Sequence, residues 1–292
     1  RMITKDFENN KVNFFKTIEE QFLMKEAIKK VEKTFSKEYP IVINGKEIMN
    51  SGKIKSVNPS KPSEIVGLVS KATKEQAIEA LETAHKNFQW WSRESQAKRS
   101  AILLRAAEIM RQRKMELNAV MVTEVGKNWV EADADTAEAI DFLEFYAREG
   151  LRYSKHTPLV KINGEDNRQF YIPLGVGVVI PPWNFPLAIT AGMTTAALVA
   201  GNTVILKPAS DTPVIAYKLF EILKEAGLPD GVLNYLPGSG GEVGDTLVDH
   251  PLTRFITFTG SMEIGIRIYE RASKVNPGQK WLKRVVAEMG GK

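Results

Sequence analysis

From Gly175 to the end of the chain, short apolar runs alternate with longer segments of helical periodicity. The runs are Val176–Ile180, Thr203–Leu206, Val232–Leu236, Phe255–Phe258 and Val285–Ala287, and the helical segments are Ala188–Val199, Pro213–Ala226, Glu242–His250 and Met262–Ser273. Continuous β-branched strands separated by amphipathic helices predict a parallel sheet covered on both faces. Right-handed crossovers then give an α/β fold, a doubly wound, Rossmann-like sheet. The N-terminal part reads differently. Phe14, Phe15, Ile18, Phe22 and Ile28 recur at helical spacing, which predicts a helix across Phe7–Phe35. Ile41–Ile48 carries a central Asn44-Gly45 and predicts a hairpin. Three or four amphipathic helices are expected from Lys74 to about Gly150, the first ending at Trp90-Trp91, a pair read as core packing. Thr157–Tyr171 breaks the helical pattern and is expected to be an extended arm between two layers.

Ligands on doubly wound sheets bind outside the carboxyl ends of the strands. The first of these ends runs Pro181-Pro182-Trp183-Asn184-Phe185-Pro186. An amide held between prolines can donate to a developing oxyanion, or can simply be part of a rigid turn. The second leads to Lys207, Pro208, Ala209 and Ser210, where a lysine suits a ribose or phosphate, or is a surface charge. The third gives Gly238-Ser239-Gly240-Gly241-Glu242-Val243-Gly244, a G-x-G-x-x-x-G turn entering a helix. Such glycines admit a dinucleotide close to backbone N–H groups, although glycine turns between strand and helix are common. The fourth ends in Phe258-Thr259-Gly260-Ser261, whose N–H and hydroxyl donors suit a pyrophosphate. The fifth ends in Glu288-Met289-Gly290-Gly291-Lys292, a carboxylate that could activate water or sit on a solvated turn. Each end has a plain reading, but five in succession point to one ligand site.

Composition narrows the chemistry. With 43% hydrophobic and 26% charged residues, the chain has the make-up of a globular protein. No apolar run reaches membrane-spanning length, so no membrane partner is expected and a cytoplasmic location is the default. The net charge of +5 is spread over alternating Lys and Glu, which reads as solvated helix faces and not as a nucleic-acid patch. There is no cysteine, which removes disulfides, thiolate metal sites and a cysteine nucleophile from these residues. The histidines His85, His156 and His250 have no metal-binding spacing, so no metal is expected.

Taken in order, the PWNFP, KPAS, glycine-turn, FTGS and EMGGK segments resemble the aldehyde dehydrogenase superfamily. The segments EADADTAEAIDFLEFYAREG and YIPLGVGVVIPPWNFP resemble its bacterial branch acting on 1-pyrroline-5-carboxylate. The resemblance implies oxidation of a small-molecule aldehyde, glutamate semialdehyde, to glutamate in proline breakdown, with NAD as cofactor and a homo-oligomeric parent. It assigns Asn184 to the oxyanion, Glu288 to the activation of water, and Lys207 and Ser210 to the adenosine ribose. It places Gly240 and Gly244 on the adenine and pyrophosphate side, and Gly260 and Ser261 at the pyrophosphate near the nicotinamide. Ile180, Pro182, Trp183 and Phe258 are added to the cofactor-contacting set, and Glu138 and Phe185 to the lining of the substrate tunnel. Where the family often has glutamate, Ser210 carries no charge, which leaves NADP open as well.

The resemblance also implies a division of the chain. Residues 1–150 form the N-terminal helical part of the cofactor-binding domain, 151–172 part of an oligomerisation arm, and 173–292 the Rossmann-like core. Family members carry the nucleophilic cysteine beyond the EMGGK motif, so the catalytic domain is expected to be absent and these residues alone to be inactive. The alternative is a stand-alone NAD-binding module without dehydrogenase activity.

Overall fold

The computed structural model describes residues 5–291; Lys292, the last residue of the EMGGK motif, lies outside the described residues. In chain order the elements are α1 (Ile18–Glu32), β1 (Glu38–Tyr39), β2 (Ile41–Ile43), β3 (Lys46–Ile48), β4 (Lys53–Asn58) and β5 (Lys61–Ser70). Four helices follow, α2 (Lys74–Trp91), α3 (Gln96–Gln112), α4 (Lys114–Val125) and α5 (Trp129–Tyr153). The strand–helix alternation then runs β6 (Val176–Ile180), α6 (Ala188–Val199), β7 (Thr203–Leu206), α7 (Pro213–Glu225), β8 (Leu233–Tyr235), a π-helical turn at Gly240–Gly244, α8 (Asp245–Asp249), β9 (Thr253–Thr259), α9 (Met262–Ala272) and β10 (Arg284–Glu288).

The main sheet has the order β10-β9-β6-β7-β8-β2-β3. Its five strands from β6 to β10 are parallel, as the apolar runs predict. The Asn44-Gly45 hairpin forms as expected, with both turn residues at positive φ (51° and 78°). It extends the sheet by an antiparallel contact, Val42 opposite Tyr235. Successive strand residues feed opposite faces: Val204 and Leu206 enter one core, Ile205 the other. The first core lies under α3 to α7, and the second holds Ala77, Ala80, Leu81 and Ala84 of α2 with Val243 and Leu247. The chain leaves β6 for β7 on one side and returns to β9 on the other, so the topological switch point lies between β6 and β9.

Three expectations for the chain before β6 change, and one further sheet appears. The helix begins at Ile18, not Phe7, where Thr17 and Glu20 form a capping box. Residues before it are drawn out along α5: the Asn10 amide donates to Asp141 at 2.7 Å and the Asn13 amide to Asp133 at 2.7 Å. Phe15 is buried with φ 51°, which no helix continues through. β4 and β5 form an unanticipated antiparallel ladder, joined to β1 in a separate three-stranded sheet. Thr157–Tyr171 is exposed along its whole length, outside both layers, and forms no strand. Of the tryptophan pair only Trp91 is core; Trp90 is 42% exposed. Among the described residues no helix is long and apolar enough to cross a membrane, and no cluster of metal-ligating side chains occurs.

Candidate functional site

Parallel strands in register bring their carboxyl ends to one edge. Ile180 lies opposite Phe258, Leu206 opposite Tyr235, and Glu288 opposite Thr259. With neighbouring strands about 4.8 Å apart, the loops that follow form a contiguous rim.

The Pro181–Leu187 loop leaves the central strand. Pro181, Pro182 and Pro186 are buried, and Trp183, Asn184 and Phe185 are pushed outward between them. Asn184 Oδ1 accepts the Phe185 N–H at 3.1 Å. Its Nδ2 makes no hydrogen bond among the described residues, so the donor end of the amide is free to serve an incoming oxygen. α6 begins directly after this loop without a side-chain cap of its own. Asp135, from the middle of α5, supplies the cap: its Oδ1 accepts the Ala188 N–H at 2.7 Å. The carboxylate is fully buried, and Lys127 Nζ lies 2.9 Å from its Oδ2. The same ammonium sits 4.0 Å from the centre of the Phe185 ring. Glu138, one turn beyond Asp135, is exposed, and its carboxyl is pushed up by partial burial and by the charges of Asp135 and Asp141. Phe185 and Glu138 thus border a common cluster centred on Lys127.

The loop after β7 carries a different charge. Lys207 is only 6% exposed and forms no ion pair among the described residues. Burial pushes its ammonium down to about 8. Gly244 lies over its stem: a Cβ there would stand 3.6 Å from Lys207 Cε. Ser210 is exposed on the same loop. α7 also starts without a side-chain cap, and again a distant carboxylate provides one. Glu124 accepts the Val214 N–H at 3.0 Å, the Ile215 N–H at 2.9 Å and the Ser56 hydroxyl at 2.7 Å. Burial outweighs these donors and pushes its carboxyl up to about 7.

The glycine turn after β8 is capped locally, Ser239 Oγ accepting the Glu242 N–H at 3.1 Å. A Cβ at Gly240 or Gly241 would meet nothing within 4 Å, and neither residue has a positive φ. Packing within the described residues therefore does not require glycine there, while a ligand approaching the backbone would. After β9, Ser261 caps α9 and Gly260 donates to the Glu288 carbonyl at 3.1 Å, which ties this loop to the end of β10. The Glu288 side chain is exposed at the sheet edge. Phe258 is buried and packs beneath Gly260 and Gly265, so its ring supports the rim from below. Ile180 is half-buried at the end of β6.

The rim thus gathers the expected loop residues at one sheet edge, with Glu138 joining through the Lys127 cluster. Sequence reasoning missed Glu124, Lys127 and Asp135. The only signal was indirect: Leu187 precedes α6 with no side chain able to cap it.

A doubly wound α/β domain with a polar, glycine-lined rim at the switch point is a ligand-binding domain of the Rossmann type. The chain belongs to the aldehyde dehydrogenase family, whose model matches residues 48–292. The 1-pyrroline-5-carboxylate dehydrogenase of Geobacillus sp. (strain WCH70) is 62% identical over 267 residues, 91% of this chain and 52% of that protein. Among solved structures, 1-pyrroline-5-carboxylate dehydrogenase from Thermus with bound NAD superposes with a TM-score of 0.97 at 52% identity, covering 100% of this chain and 57% of that one. Proline utilization A from Bdellovibrio bacteriovorus superposes with a TM-score of 0.94 at 42% identity, covering 98% of this chain and 30% of that one. The chain spans about half the length of the curated relatives it matches.

Proposed function

We propose that this chain is the NAD-binding part of an aldehyde dehydrogenase that oxidises glutamate semialdehyde, the open form of 1-pyrroline-5-carboxylate, to glutamate in proline catabolism. The names of its relatives support the substrate, and the bound NAD of the Thermus enzyme supports the cofactor. The observation that carries the reading is Lys207. A buried ammonium without a counter-ion is costly unless a ligand's oxygens complete it. Ribose hydroxyls fit that need, with Ser210 beside them and Gly240 and Gly244 clearing the backbone for the adenine and pyrophosphate. Gly260 and Ser261 serve the pyrophosphate near the nicotinamide, and Ile180, Pro182 and Trp183 border the same groove. NAD, when bound, accepts the hydride.

Asn184 directs its free amide N–H groups at the oxygen on which negative charge develops, and Glu288 takes a proton from the hydrolytic water. Glu138 and Phe185 line the approach to Asn184. A neutral Ser210 does not repel a 2′-phosphate, so NADP is accommodated too. The exposed backbone of 157–171 offers pairing to a second copy, which supports a homo-oligomeric parent.

Calorimetric titration tests the cofactor. The wild-type chain should bind NAD saturably, and Lys207→Met should lose roughly ten- to hundredfold in affinity, the worth of one charge-assisted hydrogen bond. Because the substitution removes an unpaired buried charge, the variant should be no less stable. No saturable binding of NAD or NADP would overturn the assignment. The absence of cysteine favours a second reading, an NAD-binding module without dehydrogenase activity of its own. Aldehyde-dependent NADH formation by the 292 residues alone would exclude it.

A further inference from the structure

Two groups that the proposed chemistry does not use, Lys127 and Asp135, converge on the Pro181–Leu187 loop, where Lys127 meets the ring face of Phe185. Lys127 belongs to the Gly126-Lys127-Asn128 turn between α4 and α5, and Asp135 lies further along α5. The lysine side chain is 9% exposed and the aspartate 0%, so neither serves as a solvent-facing charge. Asp135 spends one oxygen on the first amide of α6, at 2.7 Å. Its other oxygen has no hydrogen bond of acceptable geometry and relies on the Lys127 ammonium at 2.9 Å. That ammonium is in turn covered by the Phe185 ring at 4.0 Å, a separation at which a desolvated cation and a ring face attract. One side chain thus touches the loop directly and holds, through a second, the helix the loop enters. Asn184 directly precedes the clamped Phe185 and is tied to it by a local hydrogen bond, its Oδ1 accepting the Phe185 N–H at 3.1 Å.

We infer that Lys127 is a positioning residue, clamping the loop at Phe185 and, through Asp135, at Ala188, so that Asn184 is presented in one orientation. The inference rests on the reading of Asn184 as the oxyanion donor. Lys127 does not itself touch the reacting atoms. Removing it leaves a buried carboxylate without a cation, which then takes up a proton or draws in water, and the α6 cap weakens with it.

Amide-resolved hydrogen exchange of the protein, followed by NMR, tests this without reference to turnover. Lys127→Met should speed exchange at Phe185 and Ala188 about tenfold or more, because the opening there becomes local, while the β8 amides keep their wild-type rates. Lys127→Arg, which preserves the cation, should restore slow exchange at Ala188. Unchanged rates at both amides, or a rise that is uniform and includes β8, would overturn the clamp. If Lys127→Met does not fold, Phe185→Leu decides: that ring is 42% exposed and its loss leaves the ion pair in place. Faster exchange at the Ile189 amide, which donates to the Phe185 carbonyl at 3.2 Å, is then expected, and no change overturns the proposal. NAD titration of the wild type, run in parallel, keeps the two questions apart. Failure to bind would remove the functional reading, while the exchange contrast would still decide what Lys127 does.

Discussion

Two neighbouring loops on the rim are held by the same device in two electrostatic versions. Both α6 and α7 lack a cap of their own, and each borrows a buried carboxylate from a helix outside the parallel sheet. At α6, Asp135 makes one hydrogen bond to the helix and is balanced by a cation, Lys127. At α7, Glu124 makes three hydrogen bonds and has no cation beside it. Burial raises both carboxyls, but Lys127 opposes the rise at Asp135, whereas nothing of opposite charge does so at Glu124. The α6 support is thus held by a charge pair, and the α7 support by neutral donors alone.

Breaking the paired version should have the largest effect. Asp135→Ala strands the Lys127 charge at 9% exposure and removes the cap of α6. Loss of one partner from a buried pair costs about 3–5 kcal/mol, and the urea midpoint should fall accordingly. A loss below about 1 kcal/mol would mean that water already reaches the pair and that the contrast between the loops is one of geometry only.

The unpaired version should reveal itself through pH. The Glu124 carboxyl stands at about 7 in the folded chain against an ordinary 4.5. A folded value above the unfolded one means that the folded protein holds the proton more tightly. The stabilisation is therefore complete below about 4.5 and disappears as pH rises through about 7. Relative to Glu124→Gln, which does not titrate, the wild type should lose about 2 kcal/mol between roughly pH 5 and pH 8, read from urea midpoints at each pH. A pH-independent difference would show that the three donors keep the carboxylate ionised throughout.

How far these loops were legible from sequence depends on how far away their supports lie. The strands from β6 to β9 and the helices between them were readable because most of the strand residues are buried, and continuous apolar runs record that directly, while β10 carries such a run although Val286 is 63% exposed. The rim residues were readable because they follow those runs immediately. β4 and β5 were not, since one face of the ladder is solvated and residues such as Lys53, Lys55 and Glu64 interrupt any run. The extended course of residues 5–17 is set by Asp133 and Asp141, more than a hundred positions away, and so overrides the local periodicity. Glu124 and Asp135 escaped for the same reason. A carboxylate inside an amphipathic helix looks like a solvated charge until the tertiary structure brings a bare helix end against it.

The glycine turn after β8 provides the control for both loops, because it is capped by its own Ser239 and borrows nothing. Gly240→Ala places a methyl group where nothing lies within 4 Å, at a backbone conformation that alanine accepts. Alanine also restricts the unfolded chain, so stability should rise slightly, by about 0.5 kcal/mol. If the turn is shaped for a ligand, the same methyl stands in the ligand's path, and NAD affinity should fall while the urea midpoint holds or increases. Opposite movement of the two readings would separate ligand fit from fold stability at this loop, which substitutions at Glu124 or Asp135 cannot do because their effects on both are coupled. Unchanged affinity would instead assign the open space above Gly240 to another part of the protein and move the cofactor's path toward Lys207 and Gly244.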